Sequence, residues 1–273
     1  MTITTRQPVA ASATDRQAGV VERHWLALIL TVLGAWTLTP LLAPLFMHWG
    51  WAGPGRAIYA LYSMFCHQLP ERSWFLFGPK RSYSVAEIAA VWPRSDSILG
   101  LRKFIGTPDM GWKMAWSDRM VSFYGGFFLF GLLYALVRPR IRRSGWRLSW
   151  PWLIVLILPI ALDTLTHTVS DVQGMGLGFR ETNTWLAVLS GHILPANFYA
   201  GDAIGSFNSL MRLVTGWLAS FAIIFWAFPR VDDALLPDSN GLPTRQVFIA
   251  SNDPAQPDAR VEFSVNVLPP NGP

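Results

Sequence analysis

The most reactive side chains of this sequence lie in one stretch, Phe65-Cys66-His67-Gln68-Leu69-Pro70-Glu71-Arg72-Ser73, which holds the only cysteine. A thiolate is a nucleophile and a metal ligand, and a neighbouring imidazolium or guanidinium lowers its pKa. Cys66 and His67 are therefore candidates for a metal or haem ligand pair or for an activated nucleophile, with Arg72 and Ser73 close by. The alternative is structural. Cys66 would then pack as a small hydrophobic residue, while His67 and Arg72 bond to nearby carbonyl and carboxylate groups.

The composition indicates which elements must position this stretch. Hydrophobic residues make up 51% of the 273 residues and charged residues only 14%, against about 25% charged residues in an ordinary soluble domain. The apolar residues are concentrated in runs near membrane-spanning length. We therefore predict an all-α integral membrane protein with spans at about 24–49, 119–137, 150–169 and 208–228. The basic residues form no stripe, so we expect the lipid bilayer as a partner and no nucleic acid.

The segments between the spans carry their own signals. We assign 50–118 and 170–207 to the external side and predict interfacial helices and a small cap there. Gly53-Pro54-Gly55 is expected to break the chain before an apolar segment at 57–66. Ser84 and Glu87 have the spacing of a capping box, which predicts a short helix over 85–91. A second short helix is predicted over 97–105.

The two ends of the chain are polar. We predict residues 1–23 to be a disordered cytoplasmic tail, since they show no apolar period. Residues 229–273 form a predicted cytoplasmic C-terminal tail. Within it, 260–267 alternates as a strand does, and 246–250 is expected to pair with it in a β-hairpin.

Charge asymmetry predicts the orientation. Residues 138–150 contain five arginines, whereas 170–207 contains only Arg180. The positive-inside rule places the arginine-rich loop in the cytoplasm. We therefore expect a multi-pass protein of the inner (plasma) membrane with both termini cytoplasmic.

In this orientation the polar residues of the spans converge on the external side. Asp163 and His167 are four residues apart and share a helix face. A charged side chain inside a membrane costs roughly 2.5–3.5 kcal/mol on insertion scales, so such residues usually face the bundle and pair. We predict that Arg119 or Arg212 pairs with Asp163. The candidate cluster comprises Cys66, His67, Arg72, Ser73, Asp118, Arg119, Asp163, His167, Asn208 and Arg212.

Several of these residues also carry a family resemblance. The stretch from Cys66 to Ser73, then Asp118-Arg119, Ala161-Leu162-Asp163 and Asn208…Arg212 resemble a family of small prokaryotic multi-pass membrane proteins, a domain of unknown function with a Cys-His-Gln…Arg-Ser signature. The resemblance covers roughly 55–230 and implies a helical integral membrane protein without an established activity. Many members carry cysteines beside the arginine that opens the second span. Here Ser117 and Met120 stand there, which disfavours a site of several thiolates.

Function remains open between two classes. We expect a structural or accessory subunit of a larger membrane complex, without its own catalysis, with other membrane protein subunits as partners and with no cofactor. The alternative is a membrane enzyme or small-molecule or ion transporter that uses the Asp/His/Arg cluster. Such an enzyme could hold a metal between Asp163 and histidines 67, 167 and 192, or a haem at His167.

Overall fold

A computed structural model describes residues 13–95, 97–174, 177–235, 244–250 and 260–266. The chain divides into two compact units. One consists of Met1–Leu26 and Arg230–Pro273, and the other, Ala27–Pro229, contains the candidate site. The helices in chain order are α1 (Ala13–His48), α2 (Ala52–Tyr62), α3 (Val85–Ala89), α4 (Ile98–Arg102), α5 (Asp118–Ser144), α6 (Trp150–Val172), α7 (Phe179–Thr182), α8 (Thr184–Leu189), α9 (Ala196–Tyr199) and α10 (Phe207–Leu235).

Four of these helices are long and apolar enough to cross a membrane. Their candidate spans are Arg23–His48, Asp118–Ser144, Trp150–Val172 and Phe207–Leu235. Most side chains in the candidate spans of α1, α5 and α6 are not buried inside the protein, as expected for helices that face lipid. The prediction of an all-α membrane fold with four spans is confirmed. Helices α5 and α10 begin, and α6 finishes, at the same end of the bundle. We call this the polar end.

Two of the spans run further than their hydropathy suggests. Helix α5 continues through Pro139 to Ser144, and α10 continues through Pro229 to Leu235. A proline inside a helix removes one hydrogen bond but does not have to end the helix. Instead α5 stops at Gly145, whose φ of 66° is left-handed and whose N–H donates to the carbonyl of Ile141. At the other end of the chain, α1 includes residues 13–23, which we predicted as disordered, and residues 1–12 lie outside the described ones.

The turn after α1 lies earlier than expected. Gly53-Pro54-Gly55 does not break the chain but falls inside α2, which begins at Ala52. Proline is tolerated in the first helical turn because the N–H that it lacks would have no helical partner there. The chain reverses instead around Gly50, where φ is 79°. Helix α2 then packs against α1 through Tyr62, whose hydroxyl donates to the carbonyl of Trp36 at 2.9 Å.

The segment between α2 and α5 forms a small cap. Its antiparallel sheet has the order β1-β3-β2, with β1 at Ser73–Leu76, β2 at Gly106–Thr107 and β3 at Gly111–Ser117. Helix α3 has the predicted capping box, and α4 is capped by Ser97. The sequence did not predict the sheet, because two strands are very short and β3 is buried on both faces. Their residues therefore do not alternate between apolar and polar.

Small residues bring α5 and α10 close together. A Cβ added to Gly126 of α5 would lie 2.1 Å from Oγ of Ser220, and one added to Gly216 of α10 would lie 2.1 Å from Oγ of Ser122. Within membranes such close approach favours helix association through van der Waals packing. This close packing holds together the two helices that carry Asp118, at the start of α5, and Arg212, in the second turn of α10.

The other unit contains a hairpin. Strand β4 (Thr244–Ala250) pairs antiparallel with β5 (Arg260–Asn266), and Val247 lies opposite Phe263. This confirms the predicted hairpin, while its connection, 251–259, lies outside the described residues. In the same unit, Nε1 of Trp25 donates to Oδ1 of Asp232 at 2.9 Å.

Candidate functional site: an arginine–aspartate cluster beside a polar cavity

Asp163 receives two arginines at the polar end. It lies on the buried face of α6, where Arg119 Nη2 of α5 lies 2.7 Å from its Oδ2. Arg180 Nη1 of α7 lies 2.9 Å from its Oδ1. Of the two pairings that the sequence offered for Asp163, the structure forms the one with Arg119. It adds Arg180, which the sequence did not suggest.

Arg212 binds a different carboxylate. Its Nε and Nη2 donate to the two oxygens of Asp118 at 2.7 and 2.8 Å. Its Nη1 donates to Oδ1 of Asp202 at 2.7 Å, in the loop before α10. Ser209, one turn earlier on α10, donates its Oγ to Asp118 at 2.9 Å. Asp118 opens α5 and Arg212 lies in the second turn of α10, so this pair joins the starts of the two helices.

Arg72 connects the cap to the same group. Its Nη1 and Nη2 donate to the two oxygens of Asp171 at 2.9 and 2.6 Å, and its Nε donates to Oδ2 of Asp202 at 2.8 Å. Burial acts to lower the pKa of Arg72, but Asp202 and Asp171 outweigh it and raise that pKa. Burial likewise acts to raise the pKa of Asp202, and Arg72 and Arg212 hold it well below its usual range. Each partner therefore keeps the other charged.

Two further side chains complete the group. Asn208 of α10 accepts from Nε and Nη2 of Arg180 at 3.2 Å each and donates to the carbonyl of Gly201 at 3.0 Å. His167 lies between two carboxylates, with Nε2 3.9 Å from Asp163 and Nδ1 4.0 Å from Asp202. These distances exceed hydrogen-bond length. The buried Nε2 has no hydrogen-bond partner among the described residues.

The charges of this group balance. We call it the arginine–aspartate cluster, and its charged members are Arg72, Arg119, Arg180, Arg212, Asp118, Asp163, Asp171 and Asp202. Each guanidinium lies against a carboxylate from another element of the chain. Breaking one such buried pair leaves an uncompensated charge, which typically costs about 3–5 kcal/mol. The cluster therefore ties the cap, three spans and α7 together.

The other predicted residues do not join the cluster. Cys66 is buried in an aromatic core with Tyr62 and Trp116, where its Sγ lies 3.5 Å from Oγ of Ser117. His67 is exposed although it is the next residue. Ser73 donates its Oγ to the carbonyl of Leu69 at 2.8 Å. Of the Cys-His-Gln…Arg-Ser stretch, only Arg72 reaches the cluster.

A cavity of about 300 Å³ adjoins the cluster. Its charged lining residues are Glu71, Arg72, Asp171, Arg180, Glu181 and Asp202, and His167 also lines it. Burial raises the pKa of Glu71 to about 7, although Arg72 acts to lower it. Burial and the nearby Asp202 raise the pKa of Glu181. Both glutamates thus lie in surroundings that disfavour their charged form.

A metal could be considered beside His167. A ring nitrogen of His167 and carboxylate oxygens of Asp171 and Asp202 lie within 4.8 Å of one another. However, Arg72 already binds both carboxylates. A cation there would have to displace this guanidinium or share its ligands, so the donor set fits a resident metal poorly.

Sequence reasoning missed several residues of the site, among them Asp171, Arg180, Asp202 and Glu71. Asp171 follows His167 by four residues, so the helical spacing that linked Asp163 and His167 could have revealed it. The sequence distinguishes Arg180 only as the single arginine of 170–207. Asp202 and Glu71 lie outside the spans, where no periodicity distinguishes an inward carboxylate from a solvated one.

Comparison with known proteins agrees with this description. The family model described as "Predicted membrane protein (DUF2085)" matches residues 109–201, which contain Asp118, Asp163 and Arg180. The chain resembles this family of predicted membrane proteins. This confirms the expected resemblance to a membrane family without an assigned function, although the matched range does not include the Cys66–Ser73 stretch. The chain is also 23% identical over 215 residues to "Uncharacterized protein MJ1492" of Methanocaldococcus jannaschii, covering 77% of this chain and 93% of the relative. No solved structure matches it.

Proposed function

We propose that this membrane protein is a structural or accessory subunit of a larger membrane complex, without catalysis of its own. The closed arginine–aspartate cluster supports a structural role, because a catalytic carboxylate or arginine must be free to meet a substrate. In the cluster, Arg212 uses all three of its nitrogens on carboxylate oxygens, and Asp163 accepts from Arg119 and forms an ion pair with Arg180. Each buried charge is thus needed to compensate its partner, which is a structural role.

An apolar surface outside the spans carries the accessory role. The segment from α8 onward exposes large hydrophobic side chains, with Val188 65%, Leu189 77% and Ile193 80% exposed. Trp185 and Leu194 extend this surface. Large apolar side chains that are exposed outside the spans and close together in the chain are typical of interaction sites. We infer that the side chains of 185–194 contact another membrane protein subunit at the polar end.

The proposed orientation puts the polar end outside the inner membrane and both termini in the cytoplasm. Its support is the row of arginines at the opposite end. Arg142 and Arg143 lie in the last turn of α5, which also stabilises that helix end through its dipole.

The accessory role is tested by purification with a mild detergent and photo-crosslinking. A photoreactive amino acid at Val188 or Ile193 should capture a membrane protein in stoichiometric yield. The same amino acid at Asp109, an exposed position of the cap, is the matched control and should capture none. The accessory role would be refuted by a stable lone monomer in which neither position 188 nor position 193 crosslinks to another protein.

One observation favours a second candidate, a transporter or enzyme that handles a small polar ligand. Glu71 lines the cavity with only 2% of its side chain exposed, and neither carboxylate oxygen accepts a hydrogen bond from the described residues. A buried carboxylate in this state costs free energy, and such costs are often retained at binding sites. Glu71→Gln with normal folding but lost complementation of a deletion strain would favour this candidate.

A further inference from the structure

The cavity beside the arginine–aspartate cluster carries an uncompensated negative charge. Its lining holds four carboxylates, Glu71, Asp171, Glu181 and Asp202, and two guanidiniums, Arg72 and Arg180. When both glutamates are ionised, the excess is two negative charges. Among these carboxylates the aspartates are the ones bonded to arginines. The two glutamates therefore account for the excess.

Glu71 is the side chain of the cavity whose unsatisfied hydrogen-bonding capacity indicates a ligand. The carboxylate is almost fully buried and both of its oxygens lack a hydrogen-bond donor among the described residues. Arg72 Nε lies 3.7 Å from Oε1, beyond hydrogen-bond length, and is already committed to Asp202. The buried Lys113 on β3 donates instead to the carbonyls of Gln68 and Arg102 at 2.5 and 2.9 Å. Buried polar groups are rarely left unsatisfied in this way.

The shape of the cavity indicates the ligand class. Its volume of about 300 Å³ lies at the lower end for small-molecule sites and far exceeds what a bare ion needs. Val85, Ala203 and Ile204 give it an apolar wall, while Ser84 and Asn197 offer hydrogen-bonding groups. Asp171 is 24% exposed at the side chain, so the lining reaches the surface. An anion is disfavoured because both lining arginines already bind carboxylates.

We propose that this cavity binds a small organic cation, whose ammonium group contacts the carboxylates of Glu71 and Glu181. An ammonium offers several N–H donors and a positive charge, which match the unsatisfied oxygens. The carbon skeleton lies against Val85 and Ile204. The proposed binding site is inferred from the cavity and not from the accessory role. Each of the two proposals can therefore be refuted without the other.

The test is a thermal-shift and calorimetric titration of the full chain in detergent. The probe is 1,4-diaminobutane, and the controls are the neutral isostere butane-1,4-diol, succinate, and Mg²⁺ or Zn²⁺ alone. Saturating diamine is expected to raise Tm by roughly 5–10 °C, and the diol and succinate should leave it unchanged. Equal stabilisation by the diol, or stabilisation by a metal alone, would overturn the proposal.

Matched variants locate the site. Glu71→Gln and Glu181→Gln should each weaken diamine binding by roughly 30-fold. Glu87→Gln is the control, because Glu87 lies on α3 beside the cavity wall but pairs with Lys80 at the surface, and glutamine preserves the capping box. If Glu71→Gln does not fold, Glu181→Gln alone decides the matter. Unchanged diamine affinity in Glu181→Gln would refute the proposed contacts.

Discussion

Arg72 and Asp171 form a two-point ion pair, with Nη1 2.9 Å from Oδ2 and Nη2 2.6 Å from Oδ1. The pair joins the cap to the last turn of α6. Its planar geometry is specific to arginine, because lysine presents a single point charge. The arginine of the Cys-His-Gln…Arg-Ser stretch is thus a structural connector in this fold.

The first prediction concerns this connector. Arg72→Gln removes the partner of Asp171 and one partner of Asp202, and we expect a loss of roughly 3–5 kcal/mol in unfolding free energy. Thermal unfolding in detergent measures it. Arg56→Gln is the control, since Arg56 is exposed on α2. Equal Tm values for the two variants would contradict the structural role of Arg72.

A second prediction concerns the carboxylate shared by two arginines. Asp163→Asn keeps the shape but removes the charge opposite Arg119 and Arg180, so both guanidiniums lose their ion pair. We expect poor folding, seen as aggregation in size-exclusion chromatography, whereas Asp109→Asn at an exposed cap position should behave as wild type. A well-folded Asp163→Asn protein would indicate that these charges serve a ligand instead.

A third prediction uses adjacent glycines of α5. A Cβ at Gly126 would meet Ser220 at 2.1 Å, but one at Gly125 would lie at an ordinary 3.7 Å from Thr37. Gly126→Ala is therefore expected to destabilise by about 1–3 kcal/mol through overpacking. Gly125→Ala should be neutral or stabilising, because alanine favours the helix. Chemical denaturation of the two variants provides the comparison, and the reverse order of stabilities would show that α5 and α10 do not meet at this seam.

A fourth prediction is a pH dependence. Burial raises the pKa of Glu71 to about 7 from 4.5, so the folded protein holds this proton more tightly than the unfolded chain. The contribution of Glu71 to the free energy of unfolding is greatest below pH 4.5 and falls as the pH rises to about 7. The loss amounts to about 3 kcal/mol. Lys113, whose pKa burial lowers to about 7, titrates around the upper end of this range, and its contribution changes mainly above pH 7.

Glu71→Gln removes this slope. The stability of wild type relative to Glu71→Gln, measured by urea titration, should decline between pH 5 and pH 7. Arg72, Asp202 and Lys113 also influence Glu71, but Arg72 and Asp202 do not titrate in this window. A constant difference across it would show that Glu71 is ionised throughout.

A fifth prediction tests orientation. In a Cys66→Ala background, His67→Cys places a thiol at an exposed position of the polar end, and Trp146→Cys, where Trp146 is 46% exposed, places one in the opposite loop. A membrane-impermeant maleimide on intact cells should label the first only. Labelling of Trp146→Cys instead would reverse the proposed topology.

The sequence predicted the spans well because hydropathy over about 20 residues is a strong physical signal. It also placed Asp163 among its partners, since a buried charge requires an opposite charge. It could not predict Asp202 or Glu71, because a carboxylate in a loop is ordinary until the fold buries it. Cys66 shows the converse, since its chemistry suggested a site and its surroundings are an aromatic core.

The order of synthesis determines when the ion pairs of the arginine–aspartate cluster can form. Arg72 precedes Asp171 by 99 residues and Asp202 by 130, and Asp118 precedes Arg212 by 94. During synthesis Arg72 can meet Asp171 once α6 is made, whereas Asp118 has no arginine partner until α10 enters the bilayer. A chain released before α10 carries an unpaired Asp118, the kind of polar defect that chaperones and membrane proteases bind. Closure of the cluster therefore requires the last of the four spans, α10.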